Sequence, residues 1–210
     1  MSLYSENLMN KEDLLKNIAE TAYNVGFGAK KHFATYDIVE KTPGLISFFS
    51  MAFGIYALVF DKLSTKFLSA SFIILGIIGL YITLYDSKKD IYEKNAIELT
   101  KLFNELRSLY IWAKNSNEEN LSQCEQDLSD LQNRFYQNCC SNQILFSEWY
   151  AHYKFFWQHQ IDWVDEQLQF KFLRDKVPLT FTLTIFGALV GFIVWGTDVL
   201  KIICSIVNSP

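Results

Sequence analysis

Three stretches of the 210-residue chain, residues 42–60, 67–85 and 177–197, contain no charged side chain and are almost wholly apolar. They hold 19, 19 and 21 residues. A bilayer core about 30 Å thick takes about 20 helical residues at roughly 1.5 Å each, so the pattern predicts three membrane segments. The first two are joined by a charged hexapeptide, residues 61–66. A link this short makes them antiparallel neighbours, a transmembrane hairpin over 44–85.

The remaining positions repeat at three- and four-residue steps, the period of helices with one apolar face. Residues 1–43 read as an N-terminal amphipathic arm. Asn10 caps it, Glu12 and Asp13 fill its first turn, and Leu14, Ile18, Thr21, Ala22 and Val25 form its stripe. Gly26 and Gly28 are expected to loosen this helix, and Pro43-Gly44 to end it before the membrane. In residues 86–176, Ile91, Asn95, Leu99, Leu102, Leu106, Leu109 and Ala113 make one seam. Leu121, Cys124, Leu128, Leu131 and Phe135 make a second. A single long helix is expected over about 143–176, with Trp149, His152, Phe156, His159 and Trp163 on its face. No stretch alternates as a half-buried strand does. The prediction is an all-α membrane protein: the hairpin, a cytosolic helical bundle or coiled coil over 86–176, and a third, C-terminal transmembrane helix with its tail over 177–210.

Small residues recur on one face of each membrane segment. They are Ser47, Ser50, Gly54 and Ala57 in the first, and Ser69, Gly76, Gly79 and Thr83 in the second. In the third they are Thr180, Thr184, Gly187 and Gly191. Such faces let helix backbones approach closely in lipid, where packing drives association. Packing inside the hairpin or between subunits is the preferred reading, and pore lining is the other. Basic residues set the orientation. Lys30, Lys31 and Lys41 precede the first segment, and Lys88, Lys89, Lys94 and Lys101 follow the second. Lys171, Arg174 and Lys176 precede the third, leaving Lys62 and Lys66 at the hairpin tip and Lys201 at the end. The N-terminus and middle are therefore expected inside the inner membrane, the hairpin tip and C-terminus outside. No cleaved signal peptide is expected, because the first apolar run follows a charged helical leader.

Composition narrows the function. The net charge is −4, and a small basic cluster, Lys30-Lys31-His32, is followed closely by Asp37 and Glu40 and reads as a solvated face, so no direct nucleic-acid partner is expected. Cys124, Cys139, Cys140 and Cys204 form no CxxC pair and read as reduced, small and half-buried. Gly26-x-Gly28 before Lys30-Lys31 lacks the GxxxxGK[ST] spacing of a phosphate loop. His152 and His159, seven apart and flanked by Glu148 and Asp162, are read as polar members of a packed interface rather than metal ligands or pH sensors. The aromatic run Trp149, Tyr150, Tyr153, Phe155, Phe156, Trp157 and Trp163 surrounds too much of a helix for one stripe. It is buried by the bundle and neighbouring subunits, the preferred reading, or part of it lies at the headgroup level. No catalytic constellation stands out, and no cofactor or metal is expected. The spans lack ionisable residues, which disfavours ion-coupled transport.

The stretch VGFGAKKHFATYDIVEKTPG, residues 25–44, followed by a two-helix membrane hairpin and a long helical segment, resembles the SLATT group. The resemblance covers roughly residues 10–110. Members are prokaryotic two-transmembrane proteins found beside nucleotide-signalling, SLOG-domain or reverse-transcriptase partners in conflict systems. The resemblance implies a membrane effector of antiviral defence that acts by pore formation or membrane disruption, with no catalytic residues. A homo-oligomer held together by the bundle is expected. The alternative is a non-conducting tether whose bundle recruits a soluble defence enzyme.

Overall fold

The structure, a computed structural model, describes residues 9–60, 65–117, 120–137 and 142–207, with side chains through Val194. Cys139-Cys140 and Lys62 lie outside the described residues, as do the side chains of Asp198, Lys201 and Cys204. Among the described residues every regular element is helical. They are α1 (Lys11–Val59), α2 (Lys66–Thr83), α3 (Lys89–Asn115), α4 (Leu121–Gln137), α5 (Ser147–Gln158), α6 (Asp162–Leu168), α7 (Phe172–Asp175) and α8 (Leu179–Val207). A short 3-10 turn, Asp86–Lys88, joins α2 to α3. Two compact units result, residues 1–169 and 170–210.

The first unit is built around α1. Asn10 Oδ1 accepts from the Asp13 N–H at 2.8 Å, and Asn10 Nδ2 donates to Asp13 Oδ2 at 2.7 Å, so cap and first turn hold each other. From there α1 runs 49 residues, about 73 Å at ~1.5 Å per residue. Its first half is the centre of the bundle rather than a separate arm. Leu14, Ile18, Thr21, Ala22 and Val25 are all buried, as their spacing predicts, together with Ala29, Ala34, Thr35 and Val39. Its second half is exposed and apolar, with Phe48, Met51, Leu58 and Val59 each more than 60% accessible.

Pro43 does not end this helix but sits inside it. Proline removes one backbone donor and tends to kink a helix, yet a helix continues where the flanking sequence is strongly apolar and its neighbours meet the freed groups. The carbonyl that Pro43 leaves without its helical donor is that of Val39; one turn further on, Ser47 Oγ donates to the Pro43 carbonyl at 2.9 Å. Gly26 does not loosen the helix either. A Cβ there would lie 2.7 Å from Phe103 Cδ2 and 2.9 Å from Phe155 Cε2, so glycine is what lets α3 and α5 press rings onto α1.

In α3 the predicted seam is buried at Leu99, Leu102, Leu106, Leu109 and Ala113, but its start shifts. Tyr92 and Ala96 point inward, and Ile91 is 51% exposed. In α4 Leu121, Cys124, Leu128 and Leu131 are buried as expected, and Phe135 is half-buried. Cys124 is a free, buried thiol whose pKa is raised by burial and by Asp127. Polar ties register the elements. Met9 N–H donates to Glu125 Oε1 at 2.7 Å, Gln132 Nε2 to Thr21 Oγ1 at 2.9 Å, and Lys114 pairs with Glu166 at 2.6 Å.

The long helix expected over 143–176 is broken into α5, α6 and α7. His159 caps α5 in an extended conformation, and Gln169 caps α6 in the left-handed one. The breaks let Phe155, Ile161 and Val164 all turn inward, which a straight helix could not arrange.

The second unit carries α8, 29 residues long, whose side chains from 179 to 194 are exposed throughout. Pro178 precedes it, and its carbonyl accepts the Thr182 N–H at 3.1 Å.

Candidate functional site

Among the described residues two helical stretches are long and apolar enough to cross a membrane, the second half of α1 and α2, and almost none of their residues are buried. The helix α8 adds a shorter described apolar run, Leu179–Val194. Thr65 caps α2, its hydroxyl accepting the Leu68 N–H at 3.3 Å. The hairpin closes through larger side chains, with Phe53 and Phe72 ring centroids 6.2 Å apart.

The small-residue faces lie mostly elsewhere. Ser47, Gly54, Ser69, Gly76 and Thr83 are exposed, while Ser50, Ala57 and Gly79 are half-buried. A Cβ added at Gly54, Gly76, Gly79, Gly187 or Gly191 meets nothing within 4 Å. Thr180 and Thr184 are likewise exposed. These glycines are therefore open among the described residues. Hydroxyls on the spans turn back to their own helix: Ser69 Oγ to the Thr65 carbonyl (3.2 Å), Thr83 Oγ1 to Leu80 (2.7 Å) and Thr184 Oγ1 to Thr180 (2.8 Å). A hydroxyl satisfied this way carries little desolvation cost in hydrocarbon.

The five aromatic and histidine seam residues are all half-buried and make contacts within the bundle. His152 stacks edge-on against Phe27, centroids 4.7 Å apart. His159 does the same against Phe103 at 4.7 Å, and Trp163 lies 5.5 Å from Phe103 and 5.1 Å from Tyr110. Trp149 packs on Phe146 at 4.9 Å, and Phe156 on Phe155 at 5.1 Å. Because α5 ends before His159, the two histidines do not share a helix face. Trp163 Nε1 is a buried donor without an acceptor among the described residues. The face that α5 leaves open carries Tyr150, Tyr153 and Trp157.

Electrostatics concentrate where α1 meets α5. Burial pushes the His159 pKa down to about 4, helped by nearby Lys30 and Arg107. Burial, then Lys154, lowers the Lys30 ammonium. Burial alone would raise the Asp37 carboxyl. Hydrogen bonds from Lys154 and Lys41 outweigh that and hold it below the ordinary carboxylate range. The Lys154–Asp37 pair thus bolts α5 to α1 just before the membrane segment.

Sequence reasoning passed over His32, which read as part of a solvated basic cluster. It is 3% exposed. Gln143 Nε2 lies 3.5 Å from its Nδ1, and the Thr35 hydroxyl donates to Gln143 Oε1 at 2.5 Å. Tyr92 OH donates to the Asn142 carbonyl at 2.6 Å. This buried polar set ties the segment before α5 to α1 and α3. Its signal in the sequence is position: His32 falls three residues after Ala29 and seven after Val25, on the buried stripe, only when the helix is continued past Gly28.

Burial, then Lys31, pushes the His32 pKa down to about 4. An unfolded histidine titrates near 6.5. As pH falls below 6.5 the unfolded chain takes up the proton first. The stabilisation is therefore complete above pH 6.5 and is lost progressively down to about pH 4. The expected loss for His32 is on the order of 3 kcal/mol across that window. Denaturant unfolding of the detergent-solubilised protein at several pH values checks this. His32→Gln should flatten the slope, with His159 supplying what remains.

An open groove of about 500 Å³ between α3 and α4 holds Trp112, Asp127 and Asp130, and its Arg134 is already paired with Glu105. Among the described residues no group of three or more His, Cys, Asp or Glu side chains could hold a metal ion.

Neither a curated protein nor a solved structure matches the chain. One protein family does, described as SMODS and SLOG-associating 2TM effector domain 6, over residues 9–185. The match takes in the whole of α1 to α7 and ends inside α8. With its two exposed apolar spans and the helical bundle built on the first of them, the chain belongs to this SLATT family of membrane effector domains.

Proposed function

We propose that this chain is the oligomeric, membrane-acting component of a prokaryotic antiviral defence system. A partner's signal received by the bundle makes its spans open a path through the inner membrane or disrupt it. The observation that carries this reading is the continuity of α1. One helix forms the buried centre of the bundle and then, without a break, an exposed apolar span. Displacement of α3 or α5 against its first half is transmitted to its second half as rotation or tilt.

The family's description supports partners of the SMODS or SLOG type, and a reverse-transcriptase partner is the further expectation. Glycines with open space around them, Gly54, Gly76, Gly79, Gly187 and Gly191, supply faces where spans of neighbouring subunits can approach. The bundle lies on the cytoplasmic side and the C-terminus outside, with α8 as a third span. No residue is assigned a catalytic role.

The test is exchange of residues 44–85 for an unrelated transmembrane hairpin in cells that carry the neighbouring genes. Under this reading growth arrest is lost while the protein still reaches the membrane. Arrest retained with the foreign hairpin would favour the tether, which needs only an anchor.

A further inference from the structure

An apolar cavity of about 310 Å³ lies where the bundle meets the hairpin. Ile38 and Thr42 of α1, Ile78 and Tyr81 of α2, and Leu145 and Phe146 before α5 form its walls. Its floor is Ile82 and Ile144, which form a small core with Val39. Its lining is almost entirely carbon, and its size is within the roughly 300–1,000 Å³ of small-molecule sites.

The place of this cavity along α2 identifies what fills it. Tyr81 lies about 9 Å beyond the middle of α2, at ~1.5 Å per residue, which is near the end of a span. The Tyr81 and Tyr85 rings pack 5.6 Å apart and their hydroxyls lie 3.3 Å apart, an aromatic pair of the kind that marks the headgroup level. Ile78 and Tyr81 are at once lipid-facing residues of the span, 42% and 39% exposed, and walls of the cavity. The cavity is thus continuous with the surface that the bilayer covers. Its other lip is exposed too, Leu145 at 62% and Phe146 at 54%. Phe146 is held at φ 66°, a left-handed conformation that a bulky residue rarely adopts. That conformation presents two large apolar side chains beside the span instead of folding them into the bundle. Strain of this kind persists where it positions a functional element.

We propose that this junction binds an acyl chain of a phospholipid from the surrounding bilayer, with Leu145–Phe146 as a wedge seated at the headgroup level. The bound chain makes the contact between the segment before α5 and the hairpin depend on lipid. The inference rests on α1 and α2 spanning the membrane.

Full-length protein is reconstituted in phosphatidylethanolamine–phosphatidylglycerol vesicles that contain a phospholipid with a photoreactive diazirine in its acyl chain. Adducts are mapped by mass spectrometry after irradiation. Labelling is expected on exposed α2 residues such as Ile73 and Leu80, and also on Leu145 or Phe146 and Ile38. Phe146→Gly suits the left-handed backbone, and Ile78→Trp fills the cavity. Each should reduce labelling of the junction several-fold and leave Ile73 and Leu80 unchanged. Labelling of α2 without the junction, or junction labelling unaffected by Ile78→Trp, would overturn the lipid site alone. Absence of label from α2 as well would overturn the membrane reading and the site with it.

Discussion

Gly26→Leu is expected to abolish the cooperative unfolding transition of the bundle. The position is buried in α1, and a single Cβ there already comes within 2.9 Å of ring carbons of both Phe103 and Phe155. Those rings are 3% and 0% exposed, packed by their own neighbours, and cannot withdraw as a surface side chain would. Overpacking by one or two carbons costs about 1–3 kcal/mol, and alanine recovers up to ~1 kcal/mol of helix propensity relative to glycine. Gly26→Ala should therefore destabilise by up to about 2 kcal/mol. Leucine adds three further carbons, a load comparable with the ~5–15 kcal/mol total stability of a domain. Gly28 is the internal control. A Cβ there meets Leu99 Cδ1 at 3.5 Å and Phe135 Cε2 at 3.8 Å, ordinary contacts. Gly28→Ala should be neutral or stabilising by up to ~1 kcal/mol. Denaturant midpoints in detergent read all three. A Gly26→Ala protein more stable than the parent would refute the packing account.

Insertion of a flexible Gly-Ser-Gly-Gly segment between Thr42 and Pro43 is expected to remove effector activity while leaving both halves of the molecule folded. The insertion point lies beyond the Lys154–Asp37 pair, buried Val39 and the Glu40–Lys89 pair, which hold α1 to the bundle, and before the exposed apolar turns. Neither core is entered, so the unfolding midpoint of the bundle should change by less than about 0.5 kcal/mol, as for surface changes away from special features. The broken element is the continuity of α1, the helix through which the proposed function has the bundle set the angle of the span. Growth arrest in cells with the neighbouring genes should fall to the level of an empty vector. A tether would tolerate the insertion, because a flexible link recruits as well as a stiff one.

Much of the fold was legible in the sequence, for identifiable reasons. Charge-free runs and three- to four-residue steps depend only on local spacing. Leu14 to Val25, Leu99 to Ala113 and Leu121 to Leu131 are accordingly buried where the pattern puts them. Features that depend on contacts distant in sequence were not legible. Gly26 looks like a flexible point until Phe103 and Phe155 are brought against it. Pro43 looks like a terminator until the apolar turns after it are counted as part of the same helix. The breaks at His159 and Gln169 carry neither glycine nor proline, and the aromatic density around them satisfies a helical period in almost any register. The membrane face was legible only as composition. The three-dimensional arrangement adds that the hairpin closes on Phe53 and Phe72 and leaves Gly54 and Gly76 open.

The central claim is that the spans permeabilise a bilayer when the bundle is triggered. It is tested most directly by ion and dye release from liposomes that contain the purified full-length chain. Its neighbouring gene products, and any small molecule they make, are added from outside the vesicles. The account predicts release that needs both the chain and those products and that disappears with the insertion after Thr42. Intact vesicles under every such condition, with the chain shown to be inserted and its bundle folded, would contradict it.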